Sequence, residues 1–167
     1  LNHLVATTDS IVADDNSVTF YAQDAGGGDY SGIAIYLPGG GVEIQTGDSI
    51  TVVGSASEYY DFTEIFVEDA ASVTVDGSGT PVASPLSAAP ADWEGYEGGL
   101  VSLQNIDITS DIDQYGQVQT SFGILIDNGI FDYQAGSGDH FSEVTGVVTY
   151  SYGVYMLLPR TEADFIQ

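Results

Sequence analysis

The segment Gly47–Gly54 reads GDSITVVG, and a near copy of it, GDHFSEVTG, spans Gly138–Gly146 with one inserted residue. In both copies a Gly-Asp turn leads into residues that alternate between apolar and polar, which is the period-two pattern of a half-buried strand. Each copy is followed by an aromatic segment, Glu58–Phe62 in the first case and Tyr150–Val154 in the second. The recurrence predicts a chain made of two copies of one β-rich unit.

Two weaker correspondences flank this pair. The dipeptide Leu4-Val5 matches Leu100-Val101, and the segment Phe20–Asp24 matches Gly123–Asp127. The matches fall in the same order along both halves, which favours two units of roughly five strands each. The competing explanation is that β proteins reuse the same turn chemistry and that the matches arose by chance.

Period-two alternation also marks the rest of the chain, for example in Ser17–Asp24 and Gly32–Leu37, and no segment has a helical apolar stripe. We therefore predict an all-β protein. Residues 1–80 form the first predicted unit and residues 93–167 the second. Residues 81–92 are rich in Pro and small side chains, and we interpret them as a linker.

The predicted fold of each unit is a small five-stranded barrel of the oligonucleotide/oligosaccharide-binding (OB) type. Units of this size with Gly-rich hairpins suit such a barrel. A β-sandwich is the alternative, because local patterns do not show which strands pair.

The composition excludes several classes of protein. The 167 residues include 25 Asp and Glu against a single Arg and no Lys, a formal net charge of −24, so a basic surface for nucleic acid cannot be assembled. At 43% hydrophobic residues the chain is too apolar for a disordered acidic tail. It contains no Cys, which excludes disulfides and thiolate sites, and no apolar run approaches the roughly 18 residues of a membrane helix. Because the sequence starts at Leu1, we expect it to be a piece of a longer protein.

Four tyrosines and one arginine are the candidate ligand-binding residues. Tyr21 and Tyr36 lie on the non-core face of predicted strands 2 and 3, the usual ligand-binding face of an OB barrel, where aromatic rings stack on bases or sugars. Tyr59 and Tyr60 lie in the aromatic hairpin. For all four, packing within the protein is the alternative role. We expect Arg160 to end a strand and to pair with a carboxylate such as Asp164 or Glu162, and its alternative role is that of a phosphate contact.

Acidic loops offer candidate cation sites. Asp14 with Asp15, and Asp24 with Asp29, provide the oxygen ligands that Ca²⁺ prefers, so we predict Ca²⁺ as a cofactor there. The alternative is that these carboxylates are simply solvated. Catalysis is not expected, because neither His3 nor His140 has a nucleophile or an acid at a recognisable spacing.

Several of these segments together resemble a known family. Residues 20–24, 31–36 and 47–54 occur in an order similar to that of the OB-like repeats beside the catalytic domain of secreted bacterial nucleases of the endonuclease/exonuclease/phosphatase superfamily. The segment Glu94–Val101, EGYEGGLV, resembles the opening of the next repeat, and Val144–Phe165 resembles its closing strands. Related surface domains of marine bacteria are also similar.

This resemblance implies a secreted or cell-surface module without catalytic residues of its own. Its partner would be the catalytic domain of the same parent chain, and it would help to position that domain or to bind nucleic acid with the help of cations. The rival hypothesis is a Ca²⁺-stabilised surface or adhesive module that binds protein or glycan. A marine or halophilic source accounts for the acidity under either hypothesis, because negative surface charge keeps proteins soluble in salt.

Overall fold

The computed structural model describes every residue from Leu1 to Gln167. The chain is all-β, as predicted, and its only helices are three single 3₁₀ turns at Ala70–Ser72, Glu94–Tyr96 and Glu162–Asp164. No helix has the length and apolarity needed to cross a bilayer. The fifteen strands are β1 (Leu4–Ala6), β2 (Ile11–Val12), β3 (Val18–Gln23), β4 (Gly32–Leu37), β5 (Asp48–Val52), β6 (Ser55–Tyr59), β7 (Phe62–Phe66), β8 (Val73–Ser78), β9 (Ser84–Leu86), β10 (Leu100–Asp107), β11 (Gln117–Gln119), β12 (Leu125–Asp127), β13 (His140–Ser151), β14 (Val154–Leu158) and β15 (Phe165–Ile166).

The strands form two sheets, and no strand crosses from one sheet to the other. The first sheet has the order β6-β7-β4-β3-β1-β5-β8, with β2 paired to β3. The second has the order β11-β12-β14-β13-β10-β9, with β15 paired to β13. We call β1–β8 the first unit and β9–β15 the second unit.

Five strand positions recur in both units with the same pairings, except that strands 1 and 2 form a ladder only in the first unit. In the first unit β1, β3, β4 and β7 are strands 1, 2, 3 and 5, and β5 with β6 forms an interrupted strand 4. In the second unit β10 to β14 take positions 1 to 5. Strands 3 and 5 are parallel in each unit, and the other ladders among the five positions are antiparallel. This connectivity is that of an OB fold.

The barrels that we predicted are open rather than closed. Neither sheet returns on itself through a continuous ladder, since the first ends at β6 and β8 and the second at β11 and β9. In the first unit the interruption is Val53-Gly54 within strand 4. In the second unit only a single bridge, Ile108 to Thr120, connects strand 1 with strand 2.

The repeated glycines explain how strand 4 changes partners. The strand first pairs with strand 1 and then bends to pair with strand 5, at Gly54 in one unit and next to Gly146 in the other. A Cβ on Gly54 would lie 2.6 Å from the carbonyl oxygen of Phe66, and one on Gly146 would lie 2.7 Å from that of Leu158. Only glycine fits this close approach of two backbones.

One of the predicted correspondences was wrong. Phe20–Asp24 covers the end of β3, which is strand 2, whereas Gly123–Asp127 contains β12, which is strand 3. The equivalent of β12 in the first unit is therefore β4. Both segments end in Asp after apolar residues, and that local similarity hid the difference in pairing.

Each unit has its own core, and a third cluster joins the two. Phe20, Ile35 and Ile50 are fully buried in the first core, as are Leu103 and Ile126 in the second. The third cluster contains residues of both units: Tyr21, Ala34, Phe62, Leu100, Val147 and Leu158. The two units are therefore packed against each other through an apolar interface.

Hydrogen bonds reinforce this interface. The buried Gln23 amide accepts from the Leu100 N–H at 3.1 Å and donates to the Val82 carbonyl at 2.7 Å. The segment that we interpreted as a linker contains β9, which runs parallel to β10, and Ser84 Oγ accepts from the Gly28 N–H. Residues 81–92 are therefore bonded to both units and do not form a free linker.

Candidate functional site

The hairpins that join strands 4 and 5 are the most distinctive surface feature. In the first unit the loop residues are Tyr60 and Asp61, with φ angles of 51° and 65°, and in the second they are Tyr152 and Gly153, with φ angles of 52° and 84°. A two-residue loop with both φ angles positive is a type I′ turn, which matches the twist of the flanking strands. In OB folds the loop between strands 4 and 5 belongs to the ligand-binding surface.

Tyrosine is an unfavourable residue for the first position of such a turn. A bulky L-residue in the left-handed region costs on the order of 1–3 kcal/mol, whereas Asn or Gly adopts it readily. The chain nevertheless places Tyr60 and Tyr152 there, with side chains that are 80% and 101% exposed. Neither ring is buried, so burial does not account for the choice of residue, and strained exposed residues of this kind cluster at functional sites.

The two hairpins meet across the interface and enclose an open cleft of about 560 Å³. The volume lies within the range typical of small-molecule sites. The cleft is lined by Tyr59, Tyr60, Asp61, Phe62, Tyr150, Ser151, Tyr152 and Gly153, four residues from each unit. We call it the hairpin cleft.

Aromatic pairs hold the walls of the hairpin cleft. The rings of Tyr59 and Tyr60 lie edge to face with centroids 4.7 Å apart, and Tyr150 packs against Tyr155 at the same separation. Such pairs add about 0.5–1.5 kcal/mol beyond the burial of their area. Tyr155 is fixed in turn, because its hydroxyl donates to Glu94 Oε2 at 2.8 Å. The Tyr60 ring is therefore held by Tyr59, and the Tyr150 ring by Tyr155.

Two further clefts adjoin the hairpin cleft, one on each unit. The first, of about 290 Å³, lies on the first unit and shares Tyr59 and Phe62 with the hairpin cleft. The second, of about 570 Å³, lies on the second unit and shares Ser151 and Tyr152. The remaining lining residues are Thr19, Tyr36 and Glu64 in the first and Tyr115, Gln117, Val154 and Met156 in the second.

Two buried carboxyl groups lie close to this surface. Burial raises the pKa of Glu64, which lines the cleft on the first unit. Burial also raises the pKa of Glu97, although one of its oxygens accepts the Thr63 N–H at 2.8 Å. The other oxygen, Oε2, is buried without a hydrogen-bond partner. Both groups therefore hold a proton to higher pH than an exposed glutamate, and a protonated carboxyl can donate as well as accept a hydrogen bond.

The four tyrosines that we predicted as ligand-binding residues lie in different environments. Tyr59 and Tyr60 line the hairpin cleft, and Tyr36 is half-buried in the cleft on the first unit. Tyr21 is only 5% exposed and lies in the apolar interface, where its hydroxyl donates to Thr149 Oγ1 at 3.1 Å and burial raises its pKa to about 12. Tyr21 thus joins the units and offers no ring to a ligand.

Arg160 forms the structural ion pair that we expected, and its partner is Asp164. Its Nη2 lies 2.6 Å from Asp164 Oδ1, and its Nε donates to Asp164 Oδ2 at 3.0 Å. Its Nη1 donates to the Thr7 carbonyl of the first unit at 3.1 Å. All three nitrogens of the guanidinium are engaged in these contacts, so Arg160 joins the two units. Few of its N–H groups are left to bind a phosphate.

The four candidate Ca²⁺ ligands Asp14, Asp15, Asp24 and Asp29 are all exposed. Asp15 accepts from the Ser17 N–H at 2.9 Å, and its hydrogen bonds to Ser17 lower its pKa. No three His, Asp or Glu side chains come together in a group suited to a metal ion. Ca²⁺ binding stays a prediction, which a rise of the melting temperature with added Ca²⁺ would support.

His140 has a partner that the sequence did not reveal. Its Nδ1 lies 2.8 Å from Asp107 Oδ1, and the two residues face each other across β13 and β10. Both side chains are more than half exposed, and no hydroxyl nucleophile is hydrogen bonded to the imidazole. The pair is a surface contact between two neighbouring strands. The sequence did not reveal it because the two residues are far apart along the chain.

Sequence reasoning also missed the second-unit half of the cleft, formed by Tyr150 and Tyr152. The repeat already aligned this hairpin with that of Tyr59 and Tyr60, so the signal was present. What the repeat could not show is that the two hairpins, distant in sequence, meet at the interface.

Comparison of the chain with protein-family models, with curated proteins and with solved structures finds no match.

Proposed function

We propose that this chain is a non-catalytic binding module that holds a neutral carbohydrate in the hairpin cleft. The observation that carries the proposal is the pair of exposed tyrosines, Tyr60 and Tyr152, which both units present from the same strained turn position on opposite sides of one cleft.

The chemistry of the cleft suits a sugar. One face of a sugar ring carries C–H groups that pack on the electron-rich face of an aromatic ring, and the tyrosines supply such faces. Sugar hydroxyls need acceptors and donors at the rim, and the Asp61 carboxylate and the Ser151 hydroxyl supply them. OB folds bind oligosaccharides through this part of the fold.

The charge of the chain argues against an anionic ligand. Against 25 acidic side chains the only basic side chain is Arg160, apart from two histidines, and Arg160 is engaged by Asp164 and Thr7. Asp61 stands at the hairpin cleft itself. A phosphate or sulfate group would therefore be repelled on approach.

Nucleic acid is the second candidate ligand, and the OB strand order favours it. Tyrosine rings also stack on bases, at about 1–3 kcal/mol for each base. Together with the resemblance to nuclease-associated repeats, this supports an accessory role beside a catalytic domain in a secreted protein. Divalent cations would have to bridge the carboxylates and the phosphates.

Affinity electrophoresis distinguishes the candidates. Native gels are cast with laminarin, xylan, glucomannan, soluble starch or hydroxyethylcellulose, and a parallel set of samples contains oligothymidylate with and without Mg²⁺ and Ca²⁺. We expect at least one neutral polysaccharide to retard the protein and the oligothymidylate to leave it unshifted. Failure of every polysaccharide to retard it would contradict the proposal, and a cation-dependent shift with oligothymidylate would favour nucleic acid.

Variants place the binding in the cleft. Tyr60→Ala and Tyr152→Ala remove one exposed ring each, and we expect either to abolish the retardation. Tyr30→Ala is the matched control, because Tyr30 also has a positive φ of 55° and is 78% exposed but does not line the hairpin cleft.

A further inference from the structure

We propose that the module binds the interior of an extended polysaccharide chain, which runs from the first unit through the hairpin cleft to the second unit. This inference rests on the proposed function, because it extends the same site, and it specifies the ligand as a polymer rather than a single sugar.

The three clefts, together called the groove, adjoin one another through shared walls. Tyr59 and Phe62 are common to the hairpin cleft and the cleft on the first unit, and Ser151 and Tyr152 are common to the hairpin cleft and the cleft on the second unit. The end clefts therefore flank the hairpin cleft, which is the arrangement that one extended ligand would need.

Each part of the groove repeats the same chemistry. Tyr36 and the Glu64 carboxyl line the first-unit end, Tyr60 and Asp61 line the centre, and Tyr115 and the Gln117 amide line the second-unit end. An aromatic ring beside a hydrogen-bonding group at each position is what a chain of similar sugar units requires. The absence of a basic side chain from all three clefts agrees with an uncharged chain.

The groove keeps its shape because the strands beneath it are tied across the interface. Thr63 follows directly after Phe62, and its N–H donates to Glu97 of the second unit at 2.8 Å. Thr149 precedes Tyr150, and its hydroxyl accepts from Tyr21 of the first unit at 3.1 Å. A groove that is already formed in the free protein loses less conformational entropy on binding, so each further sugar adds to the affinity.

Isothermal titration with oligosaccharides of increasing length tests the inference. The disaccharide, tetrasaccharide and hexasaccharide are those of the polysaccharide that retards the protein most in the gels. We expect the hexasaccharide to bind at least about tenfold more tightly than the disaccharide. Equal affinities would overturn the extended groove while leaving the proposed function intact, and no binding by any of them would overturn both.

Variants at the two ends of the groove show whether a long ligand contacts those ends or only binds the central cleft more tightly. Tyr115→Ala and Glu64→Gln are each expected to weaken hexasaccharide binding about fivefold or more and to leave disaccharide binding unchanged. Tyr30→Ala is the control for removal of an exposed ring, and thermal melting confirms that each variant is folded. An equal effect on short and long ligands, or no effect on the hexasaccharide, would contradict the inference.

Discussion

Tyr60 and Tyr152 occupy the same position of two type I′ turns, with φ angles of 51° and 52°, one in each unit and both on a single cleft. The backbone conformation disfavours tyrosine at both places, and neither ring is buried in compensation. This coincidence of strain and exposure at equivalent positions is the reason that we propose a ligand contact for both rings.

The first prediction is that Tyr152→Asn stabilises the protein and weakens binding. The change creates an Asn-Gly loop, the preferred pair for a type I′ turn, and we expect the free energy of unfolding to rise by about 1 kcal/mol. Urea denaturation measures this change, and affinity electrophoresis measures the loss of binding. Tyr30→Asn relieves a similar conformation away from the hairpin cleft, so it should stabilise without affecting binding. A Tyr152→Asn variant that is more stable and binds normally would contradict a ligand-binding role for the ring.

The second prediction concerns the closest backbone contact between the units. A Cβ on Gly32 would clash with the backbone of Gly98 and Gly99 in the second unit, where no flexible side chain can move aside. We expect Gly32→Ala to lower the free energy of unfolding by about 1–3 kcal/mol, the usual cost of overpacking. Gly26→Ala is the control, because nothing lies within 4 Å of its added Cβ and its φ is not positive. Equal stability of the two variants would show that the units do not pack as described.

The third prediction tests the ion pair between Arg160 and Asp164. Both side chains are largely buried, so Arg160→Met leaves a buried carboxylate without its partner and removes the hydrogen bond to Thr7. We expect a loss of about 3 kcal/mol in the free energy of unfolding. Glu162→Gln, which changes an exposed acid of the same 3₁₀ turn, should have little effect. A loss below about 0.5 kcal/mol for Arg160→Met would mean that the pair is solvated rather than buried.

The fourth prediction is a pH dependence that Glu97 imposes on stability. Its pKa is raised in the folded state, chiefly by burial. At pH values between the unfolded pKa, near 4.5, and the raised pKa, the folded protein therefore binds more protons than the unfolded chain. Stability from this group therefore falls as pH rises above about 4.5. Glu97→Gln keeps an oxygen for the Thr63 N–H and removes the ionisation, so its stability relative to the wild type should increase from pH 4 to pH 7.

Denaturation at several pH values checks this prediction. The exposed Glu43→Gln removes the same formal charge from the chain, so it corrects for the general repulsion among the acids. The quantity compared is the difference in unfolding free energy between each variant and the wild type. If this difference varies with pH no more for Glu97→Gln than for Glu43→Gln, Glu97 is not buried as described.

Much of the fold could be predicted from local patterns, and what could not depends on contacts between distant residues. Alternation identified the strands, and the repeat identified Gly54 and Gly146, whose role is to let strand 4 change partners. The same reasoning correctly placed Tyr21 on the face opposite Phe20. It could not show that this face is covered by the second unit, because period two describes the two sides of a strand and not what lies against them.

The same holds for the candidate site: features set by neighbouring residues could be predicted, and features set by contacts between distant residues could not. Tyr59 and Tyr60 could be proposed together because they adjoin in sequence, and the pairing of Arg160 with Asp164 could be predicted because the two are only four residues apart. The cleft itself depends on two hairpins about ninety residues apart in sequence, which meet only because the apolar interface fixes the units side by side.

The most direct test of the account is an NMR titration of the 17.5 kDa protein with the hexasaccharide of the retarding polysaccharide. The account predicts that the amide resonances of Tyr59–Phe62 and of Tyr150–Gly153 shift together, with one binding constant, because both hairpins contact one ligand. Shifts confined to one hairpin, shifts elsewhere on the surface, or no shifts at all would contradict it.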